Sequence, residues 1–267
     1  MKAALVLAAF SSILFEWAEY TGGVSRINYC LLVPVLAAVL AWSVIQDWSP
    51  LGPPDRSGVY FGYCCLGLGG ILLFIGSLAS IFTISVAGFP LAVTGLLAIF
   101  WGKEGLYRLR YALLMFFAMV PIPLPILDRL TPGMVRATGA AAVAMVKPFD
   151  PDATWIGADL TYRGWTLFVA EACSGSGTLL VLGTLTLFMA GLFRMSTKAV
   201  IVTLILVGPI TIFINGLRIA VMAWVLDGFG PAAVTGVGHE IVGQLVVIAG
   251  AAALALVVDK ISHRGQK

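Results

Sequence analysis

Three polar residues interrupt apolar stretches of this chain with types suited to acyl transfer. Cys173 stands in Glu171-Ala172-Cys173-Ser174-Gly175-Ser176-Gly177, where a long mixed segment gives way to an apolar run. A cysteine at a helix N-terminus gains thiolate character from the helix dipole, whereas an ionised Glu171 nearby acts against it. The small neighbours Ser174 and Gly175 would let a substrate backbone come close. Arg218 stands in Asn215-Gly216-Leu217-Arg218-Ile219-Ala220, inside an apolar run that ends near Asp227. Nine residues of helix place it about 13 Å below that end, close to half of a hydrocarbon core about 30 Å thick. Ionisable groups at such depth are costly and are functional candidates by default. Asn215 lies one turn earlier and shares that face. His239 opens the last apolar run, in Gly238-His239-Glu240. A thiol nucleophile needs a base, and a tetrahedral intermediate needs a donor for its oxyanion; His and Arg supply these. Each residue also has a plainer reading: a small buried hydrophobe for Cys173, a structural arginine bonded to carbonyls or an acid for Arg218, an interfacial histidine for His239.

The elements that hold these residues follow from composition. Of 267 residues, 60% are hydrophobic and only 11% are charged, and the mean hydropathy is +1.01. Soluble domains run about 45–50% apolar and about 25% charged, and disordered chains are poor in apolar residues, so both classes are excluded. Apolar runs of spanning length occur at about 3–20, 28–46, 59–80, 84–101, 106–120, 173–193, 199–226 and 240–258. Backbone groups in lipid must be paired within their own segment, and no alternation of period two suggests a barrel, so the runs are predicted to be helices. The expected fold is an all-α polytopic membrane protein of about eight spans in one domain over 1–267. The apolar stretch after Lys2 is taken as the first span rather than a cleaved leader.

Lys and Arg set the expected orientation. With the N-terminus inside, Lys2, Arg56, Lys103, Arg108, Arg110, Arg194, Lys198, Lys260, Arg264 and Lys267 share the cytoplasmic side, against Arg26, Arg129, Arg136, Lys147 and Arg163 opposite. Both termini then face the cytoplasm, and the 121–172 segment faces outward. That segment opens with Pro121, Pro123 and Pro125. Thr131-Pro132 resembles a helix start, predicting a short amphipathic helix on the outer membrane face. Residues 154–169 suggest a small hairpin turning at Arg163-Gly164, with Trp155, Tyr162, Trp165 and Phe168 either lining a cleft or forming an interfacial belt. Cys30, Cys64, Cys65 and Cys173 include no C-x-x-C pair, so no zinc site is suggested. The basic residues are scattered, which argues against nucleic-acid binding.

On this reading Cys173, Arg218 and His239 lie in one outer layer. The residues also resemble the exosortase/archaeosortase family of membrane cysteine transpeptidase-like enzymes. The resemblance is carried by E-A-C-S-G at 171–175, N-G-L-R-I at 215–219 and G-H-E at 238–240, with V-P-I-P-L-P-I-L at 120–127 and L-V-P at 32–34 followed by Trp42. Two positions depart from it: Asn28-Tyr29-Cys30 stands where many members have Ser-His-Gly, and Ser176-Gly177 follow the Cys-Ser-Gly. The resemblance implies Cys173 as nucleophile, His239 as general acid/base and Arg218 as oxyanion stabiliser or substrate-positioning group; beside them, Glu171, Ser174, Gly175 and Asn215 are the expected substrate contacts. It implies no cofactor or metal. The implied substrates are exported proteins ending in a short motif, a spanning helix and a basic cluster, cleaved at the outer face of the cytoplasmic membrane and passed to water or an acceptor. An anion transporter using Arg218 and a non-enzymatic scaffold for surface-polymer or protein export are the alternatives. A serine intramembrane protease lacks its G-x-S-G motif here.

Overall fold

The computed structural model describes residues 2–24, 27–48, 53–169, 175–235 and 237–264, without the side chains at 237–240, 242, 246, 247, 257, 259 and 261–264. The chain divides into two compact units, Met1–Pro123 with Ala190–Arg194, and Leu124–Met189 with Met195–Lys267. Among the described residues five helical stretches are long and apolar enough to cross a membrane: Lys2–Gly23, Asn28–Gln46, Arg56–Leu78, Phe82–Arg108 and Thr197–Phe229. Ser176–Leu192 and Gly243–Leu256 are shorter apolar stretches.

The first unit contains α1 (Lys2–Gly23), α2 (Val33–Gln46, entered through a 3-10 turn at Asn28–Leu31), α3 (Arg56–Leu78), α4 (Phe82–Arg108) and α5 (Arg110–Phe117). Glycines decide how α3 and α4 meet. Gly62 and Gly69 on α3 face Gly95 and Gly88 on α4, each pair spaced by a heptad. A Cβ at Gly62 would sit 2.7 Å from the Gly95 carbonyl oxygen, and one at Gly69 would sit 2.7 Å from that of Gly88. Side-chain-free contact of this kind is how helices gain dispersion energy in lipid, where apolar burial alone drives nothing. Asp55 fixes the end of the pair. Its carboxylate accepts from the Gly58 N–H (2.8 Å), capping α3, and from the Lys103 N–H (2.9 Å) just past a kink in α4. The kink is at Gly102, whose φ of 63° favours glycine. The Trp17 indole donates to the Met119 carbonyl at 2.9 Å, tying α1 to the residues after α5.

The run at 106–120 is not one spanning helix: α4 continues to Arg108, and α5 has only 8 residues, about 12 Å of helix.

The second unit contains α6 (Leu124–Val146), a three-stranded sheet, most of α7 (Ser176–Leu192), α8 (Thr197–Phe229) and α9 (Val237–Arg264). Two expectations change here. The helix predicted to start at Thr131-Pro132 starts at Leu124 instead, and Pro132 lies inside it. Thr131 makes no N-cap; its hydroxyl donates back to the Leu127 carbonyl at 2.8 Å. The predicted hairpin is a three-stranded antiparallel meander, β1 (Thr154–Ile156), β2 (Asp159–Tyr162) and β3 (Trp165–Phe168). Its second turn is at Arg163-Gly164 as expected, with φ of 47° and 80° and Tyr162 opposite Trp165. Positive φ at both central residues suits the right-handed twist of the strands.

Packing fixes the C-terminal half of α6, while Leu127 and Thr131 are buried in its first turns. Ala142 and Val146 are buried against Ile219, Ala220 and Ala223 of α8, Leu160 and Tyr162 of the sheet, and Val169 just after it. Gly216 lets α8 approach this helix: a Cβ there would meet Ala141 at 2.8 Å. Arg163 then bridges elements, its Nη1 donating to Asp227 Oδ2 at 2.9 Å and its backbone N–H to Asp150 Oδ2 at 2.6 Å. The Asp227 carboxylate shifts the Arg163 pKa upward, holding the guanidinium charged. The meander and the C-terminal end of α8 therefore lie together.

Candidate active site

The site is built on α8. This helix runs 33 residues, about 50 Å, which exceeds the hydrocarbon core. Ser196 caps its start by accepting the Ala199 N–H at 3.3 Å, and Gly230 ends it at a φ of 78°. Pro209 lies within it. Two turns beyond that proline come Asn215 and Arg218, three residues apart and so neighbours on the helix surface.

Asn215 is almost fully buried, at 1% exposure. Its Nδ2 donates to the Thr211 carbonyl at 2.8 Å, and its Oδ1 accepts a long contact of 3.5 Å from the Thr178 hydroxyl of α7. Gly175 lies against the same amide. It has a φ of 88°, and a Cβ on it would be 3.0 Å from Asn215 Nδ2. That φ favours glycine, and the space beside the amide is tight. The Gly175 carbonyl accepts the Leu179 N–H at 2.8 Å and so begins α7. Asn215 thus holds the chain where it enters α7, two residues after Cys173. Cys173 itself, with Glu171 and Ser174, lies outside the described residues.

Arg218 is half-buried and lines a cavity of about 180 Å³. The other walls are Leu167 and Phe168 from β3, Val169 just after it, Ile219 and Met222 from α8, and Val234 and Thr235 beyond the end of α8. Apolar walls around one guanidinium lower the local dielectric and strengthen its field on any developing anion. The guanidinium reaches α9: a Cβ at Gly243 would sit 2.7 Å from Arg218 Nη2. Gly243 is one helical turn after His239, whose backbone is in the first turn of α9 and whose side chain lies outside the described residues.

Gly175, Asn215, Arg218 and the start of α9 are therefore brought together, on residues far apart in sequence. Of the four aromatics proposed for a cleft, Phe168 lines the cavity, Tyr162 is in the core, Trp155 packs on Gly139 of α6, and Trp165 stays at the surface. Gly243 was not foreseen. The signal lies in G-H-E-I-V-G, where a glycine follows the histidine by one turn, but only a neighbouring helix reveals what occupies that space.

Residues 17–257 match the family of transmembrane exosortases. The chain belongs to this family. Searches of curated proteins and of solved structures find no match to it. The match covers α2 to α8 entire, the last turns of α1 and most of α9, so Gly175, Asn215, Arg218 and Gly243 all fall within it. It carries a membrane role in processing sorting signals of exported proteins, and the apolar helices agree with a multi-pass membrane protein.

Proposed function

We propose that this exosortase is a cysteine peptidase or transpeptidase that cleaves the C-terminal, membrane-anchored sorting signal of exported proteins, with Cys173 as nucleophile, His239 as general acid/base and Arg218 as oxyanion donor. The observation that supports this reading best is the Arg218 cavity. Its walls end at Val169 and Thr235, each four residues short of Cys173 and His239. Gly175, two residues past Cys173, is locked on Asn215, one turn from Arg218.

The chemistry proceeds in two halves. The Cys173 thiol gives its proton to His239, and the thiolate attacks the scissile carbonyl. The oxyanion forms beside the Arg218 guanidinium, whose planar set of donors suits it. Collapse breaks the C–N bond, His239 returns the proton to the leaving amine, and a thioester remains on Cys173. Water or an acceptor amine then attacks that thioester, giving its proton to His239, and the thiol is restored. Glu171, Ser174, Gly175 and Asn215 serve the substrate backbone and the shape of the cleft around it.

Co-expression with an exported protein ending in a short motif, an apolar helix and a basic cluster tests this. Cys173→Ala should accumulate full-length substrate at an unchanged level of enzyme in the membrane. Processing at the normal rate by that variant would remove Cys173 from the mechanism and leave an anion transporter using Arg218, or a non-enzymatic scaffold, in its place.

A further inference from the structure

The first unit holds a cavity of about 760 Å³ where the C-terminal ends of α2 and α4, the start of α5 and residues 191–194 converge. Its lining changes character along α2. Leu40 and Val44 form an apolar inner wall, and Asp47 follows at the helix end. Leu192 adds to the apolar part. The outer rim carries three guanidinium groups, those of Arg108, Arg110 and Arg194, against two carboxylates, those of Asp47 and Glu104.

These charges do not all cancel. Arg108 pairs with Glu104 at 3.0 Å, and Arg194 stands 3.9 Å from Asp47 with both side chains largely exposed. Arg110 has no carboxylate partner among the described residues. Its guanidinium lies over the rings of Tyr107 and Tyr111, 4.2 and 4.7 Å from their centroids, and one donor goes to the Tyr107 carbonyl at 2.7 Å. Cation–π contact with both rings holds the group in place, and a guanidinium carries five donors, more than the Tyr107 carbonyl takes up. Arg108 lies over the Trp48 ring, 5.5 Å from its centroid. A preorganised, net-positive rim above an apolar wall, at the level where spanning helices end, matches a phospholipid: phosphate at the rim, acyl chain along Leu40, Val44 and Leu192.

We propose that this cavity binds a phosphate-bearing anion, supplied by the head group of an anionic membrane phospholipid. The binding is independent of the acyl-transfer site in the second unit. The full chain, delipidated in detergent, is to be offered dioleoyl phosphatidylglycerol or dioleoyl phosphatidylcholine, and bound lipid counted by native mass spectrometry. Phosphatidylglycerol should be retained in preference to phosphatidylcholine, and Arg110→Gln should lower that retention by about fivefold, the worth of one interfacial cation. Arg194→Gln, at an exposed and loosely paired position, gives a second variant with no burden on folding and should lower it in the same direction. Equal retention of the two lipids, or retention unchanged in both variants, overturns the proposal. Displacement of the lipid by millimolar inorganic phosphate assigns the rim to a soluble phosphate and overturns the lipid source.

Discussion

At the residue scale, the position of Arg218 rests on what is missing from its neighbour. Gly243 leaves room for the guanidinium, and an added Cβ would lie 2.7 Å from Nη2 and 3.0 Å from Cζ. Those atoms are the far end of a flexible side chain, so the arginine can move aside at little cost to the fold. Gly243→Ala should therefore keep the thermal unfolding midpoint while lowering kcat for signal cleavage, by up to about 100-fold for a displacement near 1 Å. An unchanged kcat would show that the guanidinium is not held by α9 for catalysis. The residue types at 173, 218 and 239 were legible in the sequence because ionisable and nucleophilic groups are rare among apolar runs. Gly243 was not, since a glycine announces itself only through the atom that fills its place. Gly175 and Asn215 were legible as part of a motif; their contact was not.

At the element scale, α3 and α4 are held by backbone contact rather than by large side chains. Gly95→Leu forces a Cβ to within 2.6 Å of the Gly62 carbonyl oxygen and 2.8 Å of the Leu66 nitrogen. Backbone cannot yield as an arginine tip can. The expected loss is about 1–3 kcal/mol, or more if the helices separate, measured by unfolding in mild detergent. Asp55 governs the end of the same pair. Hydrogen bonds from Ser57 first, then from the Lys103 and Gly58 N–H groups, hold its pKa down at about 2. A depressed carboxylate stabilises the fold above its unfolded pKa of about 3.9, and loses that contribution as pH falls toward its folded value. Asp55→Asn should therefore lower the unfolding midpoint at neutral pH, and the difference from the parent should close between about pH 4 and 2. A difference independent of pH in that window would mean that the carboxylate charge does no work at the cap. Helix existence was legible here from hydropathy, but the seven-residue glycine spacing was passed over. In a sequence with 30 glycines, spacing becomes meaningful only once two helices are known to be antiparallel neighbours. The start of α6 departs from the sequence expectation for a related reason. Thr131-Pro132 has the chemistry of a helix start, but burial of Leu127 and Thr131 draws the helix back to Leu124, and tertiary packing outweighs the cost of a proline inside it.

At the scale of the whole molecule, the meander, the end of α8 and the Arg163–Asp227 ion pair stand together in the second unit. The distribution of Lys and Arg predicts that this side is extracytoplasmic. Asp152 is exposed before the meander, and Lys260 is near the end of α9. In a background without native cysteines, Asp152→Cys in intact cells should react with a membrane-impermeant maleimide, and Lys260→Cys should react only after the membrane is opened. The reverse pattern would invert the topology and move the candidate site to the cytoplasm. The amino-acid sequence by itself determined that the chain lives in lipid, that its apolar runs are helices, and which scarce polar groups are chemically exceptional. These follow from one-dimensional facts: a bilayer demands internally paired backbone and penalises charge wherever it occurs. Only the tertiary structure decided that Asn215 seats Gly175, that Gly243 seats Arg218, that a meander shares a core with α6 and α8, and that Arg110 lines a cavity of the first unit with no carboxylate partner among the described residues. Those outcomes depend on which surfaces meet, and packing between distant segments has no period in the sequence.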